Sequence, residues 1–566
     1  MLRKEILKLA LENRLKVLQI LILNLLIPPL EISILGLIYL ILNSTDNSEI
    51  TASISQYIPI AFTSITTSAY VLLLSLCTFT IIIIWAFLRM YRARINAVTR
   101  YNIYAKQANR IVTLYLGLTG NAHNKEKPEE MANLILQLSG VSSAHFMAWL
   151  GLLSSLISII VLFTTALVAS PIITSAAIIL GIVSILINVR NFNRMKSIGE
   201  VKVDTHEEML YEVNQNIRGF EIIKFDNLKD VVLRKMNTII QKDWSWRVDK
   251  RTTGERVTML SDSFGLISLL IIVTIASTLV PLSIETLLIL ILLFSRLRAY
   301  TAEYQVHWVN IKEHRSGTLQ CLETMQRLDS NNVGYQTRIN GIEGIHLNNV
   351  SFSFDQNLIL NNLSTAISKG DRILLTGKSG DGKSTLLKVI AGYFIPDEGI
   401  ITINNYSPNK ATTINTKLTD HIFYASNEMY IPNTTLKNFI DPECQMEPER
   451  IKEILKEACL NEILEQHNVL NEPIGDNAGN FSLGQRQRLL LARVYIQSPS
   501  VVILDEATSN LDAATEQQVL SNFMRHLNPS TILIVSAHHS PPIIKFNKEY
   551  KLSETGMVES EIVSGS

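Results

Sequence analysis

Long apolar segments dominate the chain before residue 300. A helix needs about 20 apolar residues to cross a bilayer. Six segments meet or approach that length: 17–42, 57–88, 147–169, 172–189, 259–280 and the shorter 284–294. Buried helices of a soluble protein do not account for so many long apolar runs without a polar face. The pattern therefore predicts an all-α domain with six transmembrane helices.

Charged residues fill the long connections after the second and the fourth apolar segments. Their mostly helical pattern predicts two extensions on one side of the membrane. Basic residues cluster on that same side of the spans: Lys4, Lys8, Arg14, Lys16, Arg89, Arg92, Arg94, Arg100, Arg190, Arg194, Lys196, Arg296 and Arg298. The opposite connections, 43–56, 170–171 and 281–285, contain no Lys or Arg. Because cytoplasmic loops carry an excess of basic residues, we expect a multi-pass protein of the cytoplasmic (inner) membrane with both termini in the cytoplasm.

The hydrophobic pattern changes after residue 340. Short apolar runs at 373–375, 501–504 and 532–535 predict buried strands, and residues 386–390 open an amphipathic helix. The second half of the chain is therefore expected to be an α/β domain.

The composition divides the chain at a polar stretch. We expect a transmembrane domain at 1–328, a linker at 329–340 and the α/β domain at 341–566. The formal net charge is zero. It gives no reason to expect a nucleic-acid partner, because membrane topology already accounts for the basic residues.

A glycine-rich motif follows the first predicted strand of the α/β domain. Residues 377–384 have the pattern G-x-x-x-x-G-K-S and lie on a strand-to-helix turn. Loop N–H groups and the helix N-terminus then bind phosphates, Lys383 reaches the β and γ phosphates, and Ser384 ligates Mg²⁺. This motif predicts a phosphate-loop ATPase domain. The expected nucleotide contacts here are Gly377, Ser379, Gly380, Gly382, Lys383, Ser384 and Thr385.

Two adjacent carboxylates, Asp505 and Glu506, follow the strand at 501–504. Alone, such a pair is an ordinary solvated strand end. Together with the phosphate loop, Asp505 is the candidate on the metal side and Glu506 the candidate for the water-activating base. Successive strand-end residues face different directions, which allows the two roles.

Residues Phe481-Ser482-Leu483-Gly484-Gln485 resemble the signature sequence of ATP-binding-cassette (ABC) transporters. The resemblance covers roughly residues 341 to 560. It implies that Phe354 stacks on adenine, that residues 509–512 with Asp512 form the D-loop, and that His538 is the switch histidine, with His539 a weaker rival. Asn427 stands where the family usually has a metal-sensing glutamine.

The family mechanism implies that two cassettes pair head to tail, with each ATP between the phosphate loop of one and the signature of the other. Ser482, Gly484 and Gln485 would then contact ATP bound to a partner cassette. One chain carries one cassette, so the resemblance implies a homodimer or a pair with a related half-transporter. Six spans followed by a cassette are the layout of a half-exporter. Residues 214–224 resemble the second coupling segment, which docks into a cassette groove.

Two departures from the family pattern concern the ATP site. Asn427 keeps the amide with one methylene less reach, and Leu483 replaces a common glycine. Glu506 is intact, so we expect a site competent for hydrolysis. An alternative is a weakly active or regulatory subunit of a heterodimer.

The acidic residue Glu31 lies at membrane depth in the first predicted span. It should face a partner or a wet cavity rather than lipid, so it is either a substrate-pathway residue or a structural pair with a neighbouring helix. The layout resembles exporters or flippases of lipids, lipid-linked saccharides, peptides or amphipathic drugs that work by alternating access. Glu31 mildly favours a cationic or hydrogen-bonding cargo.

Overall fold

The computed structural model describes residues 2–43, 67–279, 284–331, 341–355, 357–404, 421–426, 429–465, 469–537, 540–553 and 556–560. The chain divides into two compact units. The first consists of Met1–Leu114 with Glu126–Leu328, and the second of Tyr115–Lys125 with Asp329–Ser566. The second unit thus includes a short segment from the amino-terminal half of the chain.

The amino-terminal half of the chain is helical. Its helices are α1 (Leu2–Glu12), α2 (Arg14–Asn43), α3 (Thr67–Leu116), α4 (Gly120–His123), α5 (Pro128–Asn133), α6 (Ser139–Ala169), α7 (Pro171–Arg218), α8 (Phe220–Phe225), α9 (Lys229–Leu279) and α10 (Ile284–Ser330). A π-turn at Leu134–Leu138 joins α5 to α6. Residues 57–66 of the second predicted span lie outside the described residues.

Five helical segments among the described residues are long and apolar enough to cross a membrane. They are Arg14–Ile41, Val71–Leu116, Pro128–Val168, Thr174–Arg218 and Lys229–Ile275. The sixth predicted span, 284–294, forms the start of α10, which is not among the five. Its apolar run is short and soon gives way to Ser295 and Arg296.

The predicted spans and charged extensions are parts of the same helices. Helices α3, α7 and α9 contain 50, 48 and 51 residues. At about 1.5 Å per residue each is more than 70 Å long, whereas the hydrocarbon core of a bilayer is about 30 Å thick. Each helix is therefore much longer than the bilayer core is thick, and its charged half extends outside that core.

The second unit contains two sheets. Strands β1 (Gly344–Phe354), β2 (Asn357–Ser368) and β4 (Glu398–Ile403) form an antiparallel sheet in the order β2-β1-β4. The other sheet has the order β5-β6-β7-β3-β8-β9, with β3 (Arg372–Thr376), β5 (Ile422–Ser426), β6 (Val501–Asp505), β7 (Ile532–Ser536), β8 (Lys548–Ser553) and β9 (Gly556–Ser560). Only the β8–β9 pairing in this sheet is antiparallel.

Continuous apolar runs place the central strands in the core. Every residue of β6 and β7 is buried, as expected for strands covered on both faces. Helix α11 (Lys383–Ile390) packs on the same core through Leu386, Leu387 and Val389.

A second core holds several further helices of this unit. It contains residues of α12 (Leu436–Ile440), α13 (Pro448–Glu457), α14 (Asn461–Leu464) and the carboxyl-terminal half of α15 (Leu483–Ala492). Helix α16 (Val494–Gln497) follows α15, and α17 (Ala513–His526) packs on the sheet through Val519, Leu520 and Phe523. The predicted signature and the phosphate loop therefore begin helices of two different cores.

Candidate ATP site

The carboxyl ends of four parallel strands bring the predicted nucleotide residues to one edge of the sheet. In the paired register Ser426 lies beside Asp505, and Asp505 beside Ser536. Leu375 of β3 also pairs with Ser536, so the loop that starts at Gly377 leaves the sheet at the same edge. The phosphate loop and the Asp505–Glu506 pair are thus neighbours although they are far apart in sequence.

The phosphate loop needs glycine at two positions for steric reasons. Gly377 has φ +154°, and a Cβ there would lie 2.8 Å from the Leu552 carbonyl oxygen. Gly382 has φ +91°, and its Cβ would lie 2.8 Å from Ile359 Cγ2. A side chain at either position would force the loop away from its neighbours.

Polar groups of the loop hold its curvature. The buried Lys383 Nζ donates to the carbonyl oxygens of Gly377 and Lys378, both at 2.9 Å. The Asp381 carboxylate accepts a 2.7 Å hydrogen bond from the Lys378 N–H. Lys383 is thereby fixed at the N-terminus of α11, where positive charge and N–H groups favour an anion.

The other predicted loop contacts remain accessible. Ser379, Gly380 and Ser384 are exposed, and Thr385 is half-buried. A nucleotide can therefore reach these side chains and backbone N–H groups.

Asp505 ends β6 with only 4% of its surface exposed. Tyr424 OH donates to its Oδ2 at 2.8 Å. Its Oδ1 is buried and has no hydrogen-bond partner among the described residues, and the same holds for Ser536 Oγ on the adjacent strand. An unsatisfied buried carboxylate oxygen is costly, so this atom fits a metal ion or its water ligands.

Glu506 follows Asp505 with a left-handed backbone, φ +52°. Its N–H donates to the Ser536 carbonyl oxygen at 3.0 Å, which anchors the turn to β7. A non-glycine residue in this region costs free energy, and such strain gathers at functional positions. Asn427, His538 and His539 lie outside the described residues.

Phe354 is held in an aromatic cluster at the end of β1. Its ring makes T-shaped contacts with Phe352 at 5.0 Å and with Phe394 at 5.4 Å between centroids. It remains 37% exposed, whereas Phe352 is buried. Phe352 and Phe394 thus support the ring of Phe354, and its exposed part is available for stacking on a base.

The signature begins α15 with a complete capping box. Ser482 Oγ accepts from the Gln485 N–H at 3.2 Å, and Gln485 Oε1 accepts from the Ser482 N–H at 2.9 Å. Leu483 is 45% exposed at the tip. The hydrogen bonds of Ser482 and Gln485 are local or go to Glu462, and none among the described residues leads to the phosphate loop.

The D-loop segment packs against the signature helix. Gln487 Oε1 accepts from the Asn510 N–H at 3.1 Å, and a Cβ on Gly484 would lie 3.3 Å from the Asn510 carbonyl oxygen. Asp512 caps α17 by accepting from the Thr515 N–H at 3.0 Å. Asp512 therefore has a structural role in addition to its predicted one.

Sequence reasoning did not anticipate one contact in this unit. The short helix α4 binds the loop after α11: Gly120 N–H donates to the Tyr393 carbonyl oxygen at 2.7 Å. The Asn121 side chain makes two bonds to the Ile395 backbone, donating at 2.9 Å and accepting at 3.0 Å. A Cβ on Gly120 would lie 2.4 Å from the Tyr393 ring, so glycine is required. A Thr-Gly-Asn triplet between charged helices was the only available signal.

Two further predicted residues or segments lie in the first unit. Glu31 is 6% exposed, and its Oε1 accepts from Trp85 Nε1 at 3.0 Å and from Tyr300 OH at 3.2 Å. Its Oε2 has no partner among the described residues. Glu31 therefore faces neighbouring helices rather than lipid. The segment 214–224 ends α7 and forms most of α8, whose residues are all accessible.

Comparison with known proteins agrees with this site. Residues 360–509 match the family model described as ABC transporter. The chain is 33% identical over 218 residues to the Microcin-J25 export ATP-binding/permease protein McjD of Escherichia coli, covering 38% of this chain and 37% of that protein. It is 30% identical over 219 residues to the ATP-dependent lipid A-core flippase of Francisella tularensis, covering 38% and 36%. The matched region spans less than half the length of these relatives.

A solved structure extends the likeness to the whole chain. The structure of a bacterial Atm1-family ABC exporter with ATP bound superposes with a TM-score of 0.78, covering 96% of this chain and 95% of that one. The sequence identity is 15%, so this likeness concerns the fold.

Proposed function

We propose that this chain, which has the fold of an ABC exporter and carries an ABC ATP-binding domain at its carboxyl end, is one half of an ATP-driven exporter or flippase. The observation that carries the proposal is the position of the signature. Ser482 and Gly484 start a helix whose later residues, Leu489 to Ala492, pack mainly in a different core from the helix that follows the phosphate loop, and no hydrogen bond joins the signature to that loop among the described residues. A second chain can complete such a site.

ATP and Mg²⁺ would be held by residues that already form a suitable cradle. Phe354 offers its ring to adenine, and the loop from Gly377 to Thr385 offers N–H groups and Lys383 to the phosphates. Ser384, Asp505 and Asn427 are the proposed metal-side residues, and the unpaired Asp505 Oδ1 supports this assignment. When bound, Mg²⁺ supplies positive charge that offsets the charge developing on the phosphate.

Glu506 is the proposed base for the attacking water. Its carboxylate follows the strand end next to Asp505, and the Ser536 carbonyl fixes its backbone. His538, and less so His539, is proposed to hold the γ-phosphate. Lys383 would stabilise the transferred phosphoryl group by its charge at the helix N-terminus.

A dimer follows from the half-sites. Ser482, Gly484 and Gln485 of one chain would bind ATP held by the partner, with Asp512 in the D-loop between them. The apolar side chains of Phe220, Ile222 and Phe225 are 62%, 62% and 84% exposed, and such a patch needs a cover. We infer that this coupling segment docks on the partner's cassette.

Transport would use alternating access in the cytoplasmic membrane, with both termini in the cytoplasm. The domain limits proposed for this machine are 1–328, 329–340 and 341–566. Names of relatives point to peptide and lipid cargo. Lipids, lipid-linked saccharides, peptides and amphipathic drugs remain the proposed substrate classes, and Glu31 the proposed substrate-pathway residue.

ATPase activity of the purified chain in nanodiscs tests this function. We expect the wild type to hydrolyse ATP with Mg²⁺ and Glu506→Gln to lose at least about 100-fold in rate while still binding ATP. Glu453→Gln, at an exposed glutamate on α13 that pairs with Arg450, is the matched control and should hydrolyse normally. Normal turnover of Glu506→Gln would refute its assigned role. Wild-type ATP binding without hydrolysis would favour the regulatory-subunit alternative.

A further inference from the structure

A polar cavity of about 370 Å³ lies inside the first unit. Four helices line it: α2 contributes Asn24, α3 contributes Arg92, Asn96, Ala97 and Arg100, and α6 and α10 contribute the rest, including Ser154 and His307. Its volume lies within the range of small-molecule sites, roughly 300–1,000 Å³. Its arginine, asparagine and histidine side chains suit an occupant that carries polar or charged groups.

Arg92 is fixed in this cavity by a chain of hydrogen bonds across three helices. Its Nη1 donates to Asn24 Oδ1 at 2.8 Å, and Asn24 Nδ2 donates to Ser154 Oγ at 2.6 Å. Asn24 is 1% exposed, so the chain is shielded from solvent. One of several guanidinium donors is used by Asn24, which leaves the others for a ligand.

Two further polar atoms of the cavity lining are unsatisfied. Asn96 Oδ1 and His314 Nδ1 are buried and have no hydrogen-bond partner among the described residues. Both side chains line the same cavity as Arg92. A buried polar group without a partner is costly, and a bound molecule could pair with these two atoms only after the Asn96 amide or the His314 ring turns toward the cavity.

The position of His307 depends on a glycine. A Cβ on Gly151 would lie 2.3 Å from His307 Cε1 and 2.5 Å from its Nε2. The ring therefore packs directly on the backbone of α6 and occupies one wall of the cavity. A larger residue at position 151 would push the ring into the cavity.

The charges in the cavity favour an anion. Arg92 and Arg100 contribute two positive charges, and Glu303 is the one carboxylate among the lining residues. His307 Nε2 lies 3.8 Å from Glu303 Oε1, and the charge of Arg92 also acts on this carboxylate, so the two arginines leave one positive charge in excess over the single glutamate. Glu31, which suggested a cationic cargo, is not among the lining residues and is engaged by Trp85 and Tyr300.

We propose that this cavity binds an anionic group, a carboxylate or a phosphate, of the transported substrate, with Arg92 as the charged ligand and Asn96 and His314 as hydrogen-bonding partners. The proposal names the substrate class for the export function above and rests on it. A peptide carboxyl terminus and a lipid headgroup share this chemistry. The cavity volume fits such a group rather than a whole large cargo.

The test measures binding without ATP and stimulation of ATPase separately, using the full chain in phosphatidylcholine nanodiscs. One arm compares an N-acetylated tetrapeptide that has a free carboxyl terminus with its carboxamide. The other adds phosphatidic acid to the nanodiscs. Wild type is compared with Arg92→Gln, with Arg92→Lys, which keeps the charge, and with Arg94→Gln, an exposed arginine on the same helix that does not line the cavity.

We expect the wild type to bind the free-acid peptide about tenfold more tightly than its carboxamide, or phosphatidic acid about tenfold more tightly than the zwitterionic phosphatidylcholine. Arg92→Gln should abolish this preference, Arg92→Lys should keep part of it, and Arg94→Gln should leave it unchanged. The arm that shows the preference identifies the source of the anion. Equal binding of charged and uncharged probes by the wild type, or equal effects of Arg92→Gln and Arg94→Gln, would overturn the site. An anion preference in a chain without ATPase activity would keep the site and refute the pump.

Discussion

The Tyr424 hydroxyl donates to Oδ2 of Asp505 at 2.8 Å, and the other oxygen of this carboxylate has no hydrogen-bond partner among the described residues. Tyr424 lies on β5 and Asp505 ends β6, the neighbouring strand. Tyr424 belongs to none of the recognised motifs, but through this hydrogen bond it positions a carboxylate of the proposed metal site.

Tyr424→Phe should weaken the use of Mg²⁺ because Asp505 loses the donor that orients it. Loss of one hydrogen bond to a charged group predicts about a tenfold rise in the Mg²⁺ concentration that half-saturates ATPase activity. Titrating Mg²⁺ at saturating ATP measures this. Tyr430→Phe removes an exposed hydroxyl bound to Asp476 and serves as the control. Identical Mg²⁺ curves for Tyr424→Phe and the control would show that Asp505 needs no such support.

Ser482→Ala should remove one half of the capping box at the signature, the bond that Ser482 Oγ accepts from the Gln485 N–H, whereas the backbone N–H of residue 482 can still donate to Gln485 Oε1. The start of α15 would lose about 1 kcal/mol, and the proposed partner-side contact to ATP would disappear with the hydroxyl. We expect normal ATP binding by the monomeric cassette but strongly reduced ATPase activity. Ser482→Thr keeps a capping oxygen and should retain most activity. Full activity of the alanine variant would argue against a composite site.

Asn121→Ala should loosen the contact between α4 and the loop after α11. Two hydrogen bonds to Ile395 are lost, which leaves a backbone N–H and a carbonyl without these partners. We expect ATPase activity that no longer responds to transported compounds, since the segment would no longer follow the ATP-binding domain. Asn124→Ala, at the end of the same short helix, is the comparison. An unchanged response in Asn121→Ala would show that the bonds between Asn121 and Ile395 do not link compound binding to ATP hydrolysis.

The Asp371–Lys548 pair should make stability depend on pH. Burial alone would raise the pKa of Asp371, but hydrogen bonds from Lys548, the Ser368 N–H and Asn547 together hold it below its ordinary value. The stabilisation is therefore present above the unfolded pKa of about 3.9 and is lost as the pH falls through the folded pKa. Burial lowers the pKa of Lys548, and Asp371 raises it above its ordinary value.

Asp371→Asn should accordingly destabilise the second unit by about 1–3 kcal/mol at pH 7. The difference from wild type should shrink in acid, because the wild-type carboxylate is then protonated as well. Thermal denaturation at pH 7 and in acid measures this. Glu343→Gln removes an exposed ion pair with Lys369 and should change little. A pH-independent difference between Asp371→Asn and wild type would exclude the linkage.

The architecture of the α/β unit could be read from sequence because its signals are local and strong. The apolar runs at 373–375, 501–504 and 532–535 are parts of β3, β6 and β7, and the glycine motif lies on the predicted turn. The resemblance to ABC transporters is confirmed, as is the fold class, although five rather than six spanning segments are seen among the described residues.

Features that depend on distant residues could not be read in this way. Asn121 and Ile395 meet through a contact between residues 274 apart in the chain. Arg92 and Ser154 are joined through Asn24, and each looks like an ordinary polar residue in its own helix. Such contacts have no period and no motif, because they arise only when helices or loops from different parts of the chain pack together.

The membership of α4 in the second unit changes how the protein should be dissected. A recombinant fragment of residues 341–566 would contain every nucleotide motif but would lack the segment Tyr115–Lys125. The Tyr393 carbonyl and both backbone groups of Ile395 would then be bare, beside a tyrosine ring that had been packed on Gly120. The excised domain would therefore expose backbone groups and an aromatic ring that α4 covers in the intact chain. Fusing residues 115–125 to it through a flexible tether is the way to keep it soluble.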